Sequence, residues 1–148
     1  MDPRLSLYND LKEVISTDVT DVAHIDLWNE NVEFADEDAP WPRPAVFVEF
    51  GDITWEPIKT TGRTSCLRGS GELRLHIVTD WSAEAYASSF DIGERIWRAL
   101  MRWRYDSQDT DYTVYYPSVT QTNHNHESLL ENIDIFGVKY NKWLENNT

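Results

Sequence analysis

Between Asp80 and Ser82 the hydrophobic period of this chain switches from two residues to that of a helix, and this switch constrains the fold more than any other feature. Before it, in Gly71 to Asp80 (GELRLHIVTD), Leu73, Leu75 and Ile77 alternate with Arg74, His76 and Val78. That is the pattern of a strand with one better-buried face. After it, Ser82 to Arg104 reads as one long amphipathic helix. Ala85, Ser89, Ile92, Ile96, Leu100 and Trp103 fall on one stripe, and Arg95, Arg98 and Arg102 form another. Trp97 and Met101 widen the apolar side. Ser82 is a good N-cap, and Glu84 complements the positive end of the helix dipole. The expected result is a helix lying across a sheet, with its arginine row turned to solvent or to a neighbour.

The segments on either side supply the rest of that sheet. Pro44 to Phe50 (PAVFVEF) is β-branched and aromatic and apolar on both faces apart from Glu49, which suits a strand covered on both sides. Gly51-Asp52 permits a bend or bulge, and Ile53 to Glu56 extend the ribbon. The polar, arginine-bearing stretch Glu56 to Ser70 reads as a long inter-strand connection, loop-like from Thr60 onward, with Gly62 and Gly69 as flexible points. Near the N-terminus, Asp2 as N-cap, Pro3 at the first helical position and the spacing of Leu5, Tyr8, Leu11 and Ile15 predict a helix that ends near Ser16-Thr17-Asp18. Val22 to Trp28 alternates weakly, as a short strand would.

Asn29 to Pro44 is an acidic connection with three prolines in five residues, which forbids a continuous helix or a central strand. Trp41 is its expected anchor to the body. Tyr112 to Val119 reads as a strand limited by Pro117, and Ile133 to Tyr140 as a closing strand with Gly137 as a bulge position. Residues 144–148 form a polar tail. Together these elements predict one α+β domain over residues 1–148, a mixed or antiparallel sheet with an N-terminal helix and one long helix packed on it.

Seven Trp, seven Tyr and five Phe provide bulky core material, so a disordered chain is not expected. A single cysteine, Cys66, rules out an intrachain disulfide and a cysteine-based zinc site. No apolar run reaches the roughly 20 residues that span a bilayer, and the N-terminal residues lack the pattern of a secretory signal. The expectation is a soluble protein made in a reducing cytoplasm, without membrane contact. Net charge is −13, unevenly spread. Residues 1–61 hold 14 acids and 4 bases, residues 62–104 hold 5 acids and 7 bases, and residues 105–148 hold 7 acids and 2 bases. That balance repels phosphate backbones and argues against nucleic-acid binding as the main task. In a self-associating protein, the basic centre of one copy can meet the acidic flanks of the next.

Residues that carry chemistry are sparse. His124 and His126 form an HxH pair that, on a strand, would turn both imidazoles to one face, an arrangement usable for zinc or iron with Asp134 as a third ligand. The alternative is a polar strand end whose histidines face water. His76 reads as a strand side chain on the less buried face. An EF-hand built on Asp36, Glu37 and Asp38 lacks the spaced ligands and the glycine it needs. No GxSxG elbow, GxGxxG turn or GxxxxGK[ST] loop occurs. No enzymatic activity and no cofactor are expected.

The order of these elements, with PAVFVEF and its ribbon, GELRLHIVTDWS leading into a helix that contains GERIWRALMRW, and the closing NHNHESLLENIDIFGVKY, resembles the tail-terminator (tail-completion) proteins of long-tailed bacteriophages, the minor-tail-protein-U-like group. The resemblance spans most of the chain through loose hydrophobic patterns, and residues 29–44 are longer than the family pattern implies. It implies a virion or prophage structural protein, a homohexameric ring on the head-proximal end of the tail tube, assembled in the bacterial host cytoplasm. Its implied partners are further copies of itself, the tail tube protein and a head-completion or neck protein. Arg63, Arg68, Arg95, Arg98 and Arg102 are the residues expected at subunit or tube contacts. Two other readings stay open: a head–tail connector or neck protein, and a small metal-dependent enzyme using His124 and His126.

Overall fold

In the computed structural model, which describes residues 2–29, 41–82, 86–106, 111–126 and 128–145 (the backbone alone for 59–61, 105–106 and 124–126), the first helix starts where the sequence predicts. The Asp2 carboxylate accepts the Arg4 backbone N–H at 2.9 Å and Pro3 opens α1 (Pro3–Asp18), so one of the unpaired donors at the helix start is satisfied. Arg4 also clamps the Asp2 carboxylate, holding it down at about 2. The buried stripe is Leu7, Leu11 and Ile15, each with no exposed surface, whereas Leu5 is half exposed. The periodicity was right and its phase was off by half a turn at the first residue. At Val19 the backbone leaves helical geometry, and the Val19 N–H still closes on the Ile15 carbonyl.

The elements that follow are β1 (His24–Leu27), β2 (Ala45–Thr61), β3 (Thr64–Asp80), α2 (Tyr86–Asp106), β4 (Tyr112–His126) and β5 (Leu129–Glu145). They form one mixed five-stranded sheet in the order β1-β2-β3-β5-β4, in which β1 runs parallel to β2 and all other pairs are antiparallel. With its two helices this makes a single α+β domain. Both helices lie on one face, where Leu7, Leu11 and Ile15 of α1 and Ile92, Ile96 and Leu100 of α2 meet Val46, Val48, Leu73, Leu75, Phe136, Val138 and Tyr140. Each such aliphatic side chain, fully withdrawn from water, contributes roughly 1.5–3 kcal/mol. The opposite face carries a smaller cluster of Trp41, Ala45, Phe47, Val78 and Leu129, with Trp28 packed against it. Trp41 is therefore the anchor the sequence suggests, its ring 4.9 Å from that of Phe47. Residues 30–40, the middle of the proline-rich connection, lie outside the described residues.

Two sequence expectations are corrected. Glu56 to Ser70 is not a long connection: β2 runs to Thr61 and β3 starts at Thr64, leaving a two-residue Gly62-Arg63 turn in which Gly62 takes φ +59. The reason is tertiary. The hairpin reaches past both helices and has little to bury there, so its strands carry no apolar alternation. β5 pairs with it along the whole length, from Thr64↔Glu145 to Asp80↔Leu129. Gly137 is also not a bulge. The irregularity lies across from it on β4, where Tyr115 and Tyr116 occupy the interval that Gly137 spans on β5. The bulge expected at Gly51-Asp52 is present, between the Phe50↔Leu73 and Ile53↔Gly71 pairs. The predicted helix start at Ser82 cannot be compared, because 83–85, with Glu84 and Ala85, lie outside the described residues.

Candidate assembly surfaces

The hairpin end of the sheet is its barest part. Beyond Trp55, the side chains of Glu56, Pro57 and Ile58 are exposed, as are Arg63 and Arg68 on the other arm. Trp143 (62% exposed) and Leu144 (40%) stand alongside on β5, one on each face of the sheet by strand alternation, with Ile58 (46%) on the β2 side. Large apolar side chains grouped at a protruding end are what an interface presents before its partner arrives. The same end is basic: residues 56–70 and 139–145 hold five bases (Lys59, Arg63, Arg68, Lys139, Lys142) and two acids (Glu56, Glu145), in a chain at −13 overall.

A second surface lies on the helix-bearing face. Ile92, Ile96, Ala99 and Leu100 are buried, which orients α2 and turns its arginines outward. Arg95 is not free: it donates to Asp91 at 2.9 Å and to Asp21 at 2.8 Å, and Arg98 donates to Glu94 at 3.0 Å. The arginine beside Asp21 holds that carboxyl below its ordinary range. These are exposed pairs of the kind that contribute little to stability. Arg102 is exposed and forms no salt bridge among the described residues. The five arginines singled out from the sequence thus divide into two groups, Arg63 and Arg68 on the hairpin, and Arg95, Arg98 and Arg102 on α2. The structure does not bring the groups together.

Between α2 and strands β4 and β5 opens a cleft of about 510 Å³. Phe90, Gly93 and Trp97 form its helical wall, and Thr120, Thr122, Asn132 and Asp134 its floor. Trp97, expected on the apolar side of α2, is 41% exposed because it overhangs this cleft and not the core. The floor residues share one face through the Thr120↔Asp134 and Thr122↔Asn132 pairs. The Thr120 hydroxyl donates to Asp134 at 2.6 Å and that of Thr122 to Asn132 at 2.9 Å. Asp134 is 5% exposed, and burial pushes its carboxyl above the ordinary value despite the Thr120 bond.

On the opposite face, His76 is not the half-exposed strand residue its alternation suggests. It is 5% exposed, with Nδ1 2.8 Å from Glu131 Oε2 and Nε2 2.8 Å from Glu49 Oε2. Trp28 stacks flat on the ring at 3.8 Å, and Asn123 donates to the second Glu131 oxygen at 3.1 Å. Both ring nitrogens are engaged, so the imidazole has no free nitrogen for a substrate or a metal; it ties β2, β3 and β5 together. Sequence reasoning missed the array because its acids lie 27 and 55 residues away from the histidine.

Asp134, the carboxylate named as an example of a third ligand for His124 and His126, does not lie beside them on the sheet. His126 pairs with Leu129 and Thr120 pairs with Asp134, so Asp134 sits five residues further along β5, about 17 Å away. Both histidine side chains and Glu127 lie outside what is described. Among the described residues no cluster of three His, Cys, Asp or Glu is set to hold a metal ion. Cys66, within the stretch whose composition reads as a loop from Thr60 onward, lies buried in β3. No protein-family model matches the sequence, and no curated protein matches it at a significant level.

Proposed function

We propose that this protein is a structural subunit of a long-tailed bacteriophage that closes into a ring of six copies on the head-proximal end of the tail tube. There it ends polymerisation of the tube and offers the joining surface to a head-completion or neck protein. The observation that carries this reading is the hairpin end of the sheet, an apolar and basic projection left bare by both helices. A subunit with such a projection is built to be covered by another protein. Two further features support it. Among the described residues, strand β2 is paired with β1 only from Ala45 to Val48, and from Glu49 onward no described strand pairs with it on that side. The acidic balance of the chain suits a ring whose opening passes DNA without holding it.

Loss of the gene tests the tail role directly. The expected phenotype is tail tubes of irregular, excessive length that fail to join heads, seen by negative-stain electron microscopy. Tubes of normal, uniform length that join heads would contradict the reading.

A further inference from the structure

The hairpin tip and the α2 cleft lie at opposite ends of the same sheet. Asp134 pairs with Leu75, and Leu75 is eleven residues along β3 from Thr64 at the tip, about 36 Å at strand rise. A projection and a recess this far apart cannot meet within one chain. Two copies that meet through these surfaces either exchange them reciprocally in a two-fold pair or join head-to-tail, and head-to-tail contacts close into the ring proposed above or propagate as a filament.

The two surfaces fit each other chemically. Arg63 stands at the tip next to Gly62, with no acid paired to it among the described residues, and the surrounding end of the sheet is basic. The cleft has apolar walls in Phe90 and Trp97, both more than 40% exposed, for a side-chain stem or an aromatic ring. On its rim Glu94 is already neutralised by Arg98 at 3.0 Å. On its floor the Asp134 carboxylate has a hydroxyl but no cation among the described residues. An arginine between aromatic rings and a buried carboxylate gains both a cation–π contact and a charge-assisted hydrogen bond. Gly93 keeps the mouth open, since a Cβ there would meet nothing within 4 Å.

We infer that the cleft between α2 and strands β4 and β5 is the receptor for the β2–β3 hairpin tip of a neighbouring copy, with Arg63 of one subunit reaching Asp134 of the next. This inference rests on the ring reading and gives the ring its subunit contact. The Asp134 carboxyl, held in a poorly solvated place in the free subunit, is then matched only on assembly. That explains why an acid occupies a floor otherwise made of hydroxyls and an amide.

Cross-linking of mixed single-cysteine proteins tests it. In a Cys66→Ala background, Thr64→Cys and Gly93→Cys are purified separately, then oxidised alone and as an equimolar mixture. The inference predicts a disulfide-linked dimer containing one copy of each in the mixture, and none from either alone. Self-linking of Thr64→Cys, or no link in the mixture while the unmodified protein is oligomeric, overturns the contact and leaves the ring reading standing. A wild-type protein that stays monomeric overturns both. In parallel, Arg63→Glu and the cleft-filling Gly93→Phe are expected to weaken self-association at least tenfold, while Arg63→Lys and Gly93→Ala retain it. Unchanged association in both disruptive variants would refute the proposal. Circular dichroism melts of the dissociated subunits separate this effect from misfolding, because both positions face open space.

Discussion

His76 is the residue whose environment departs most from its sequence context. An imidazole held by Glu131 and Glu49 at 2.8 Å each, with Trp28 flat against it, stabilises the sheet only while both carboxylates keep their partner. His76→Leu keeps most of the volume and removes the imidazole from Glu131 Oε2, leaving the Asn123 bond to Oε1 in place. Breaking a buried pair this way costs about 3 kcal/mol or more, so the melting temperature should fall by roughly 6–12 °C. Thermal denaturation checks this, and an unchanged melt would mean the array holds nothing together. Asp134 tests the opposite sign. Its folded carboxyl is raised above 3.8 by burial, so the ionised form destabilises the free subunit. The penalty is absent below the ordinary value, builds as pH rises from the ordinary to the raised value, and is fully present above it. Asp134→Asn should therefore raise the melting temperature of the dissociated subunit at neutral pH, with the difference shrinking to nothing near pH 3. A difference independent of pH would contradict it. Neither environment is legible from sequence, because each is made by strands that meet across the sheet.

At the scale of elements, the sequence was most readable where burial is one-sided. The α1 cap, the stripe of α2 and the alternation of Leu73, Leu75 and Ile77 all follow from a helix or strand with one face in the core. It was least readable at the hairpin, where few side chains are buried and polar composition imitates a loop. Gly69 illustrates the difference. Read as a hinge, it is a strand residue directly opposite Trp55, and a Cβ there would come within 2.7 Å of Ile53 and 2.8 Å of Trp55. In open space Gly→Ala inside a strand gains roughly 0.5–1 kcal/mol; here overpacking of about 1–3 kcal/mol outweighs it. Gly69→Ala should thus destabilise by about 1 kcal/mol, measured by urea unfolding. A gain in stability would mean that Trp55 swings aside freely. β4 shows the same limit from another side: Pro117 marked the end of a strand in the sequence, yet the strand runs on to His126 by bulging around it.

At the scale of the whole molecule, charge and shape point the same way. The sheet ends in a basic, apolar projection, while most of the remaining chain is acidic and carries a recess of matching chemistry about 36 Å away. Such polarity within one subunit favours self-association through unlike surfaces of neighbouring copies. The sequence hinted at this through its central excess of bases, and the fold divides those bases between the hairpin and α2. Because the contact is partly ionic, raising salt from about 0.05 to 0.5 M should loosen the assembly without unfolding the subunit. The most direct test of the account is the mass of the purified protein in solution, by light scattering across a size-exclusion peak at micromolar concentration in low salt. The account predicts a single closed species of six 17.3 kDa subunits. A monomer at every concentration, or an open-ended series of growing masses, would contradict it.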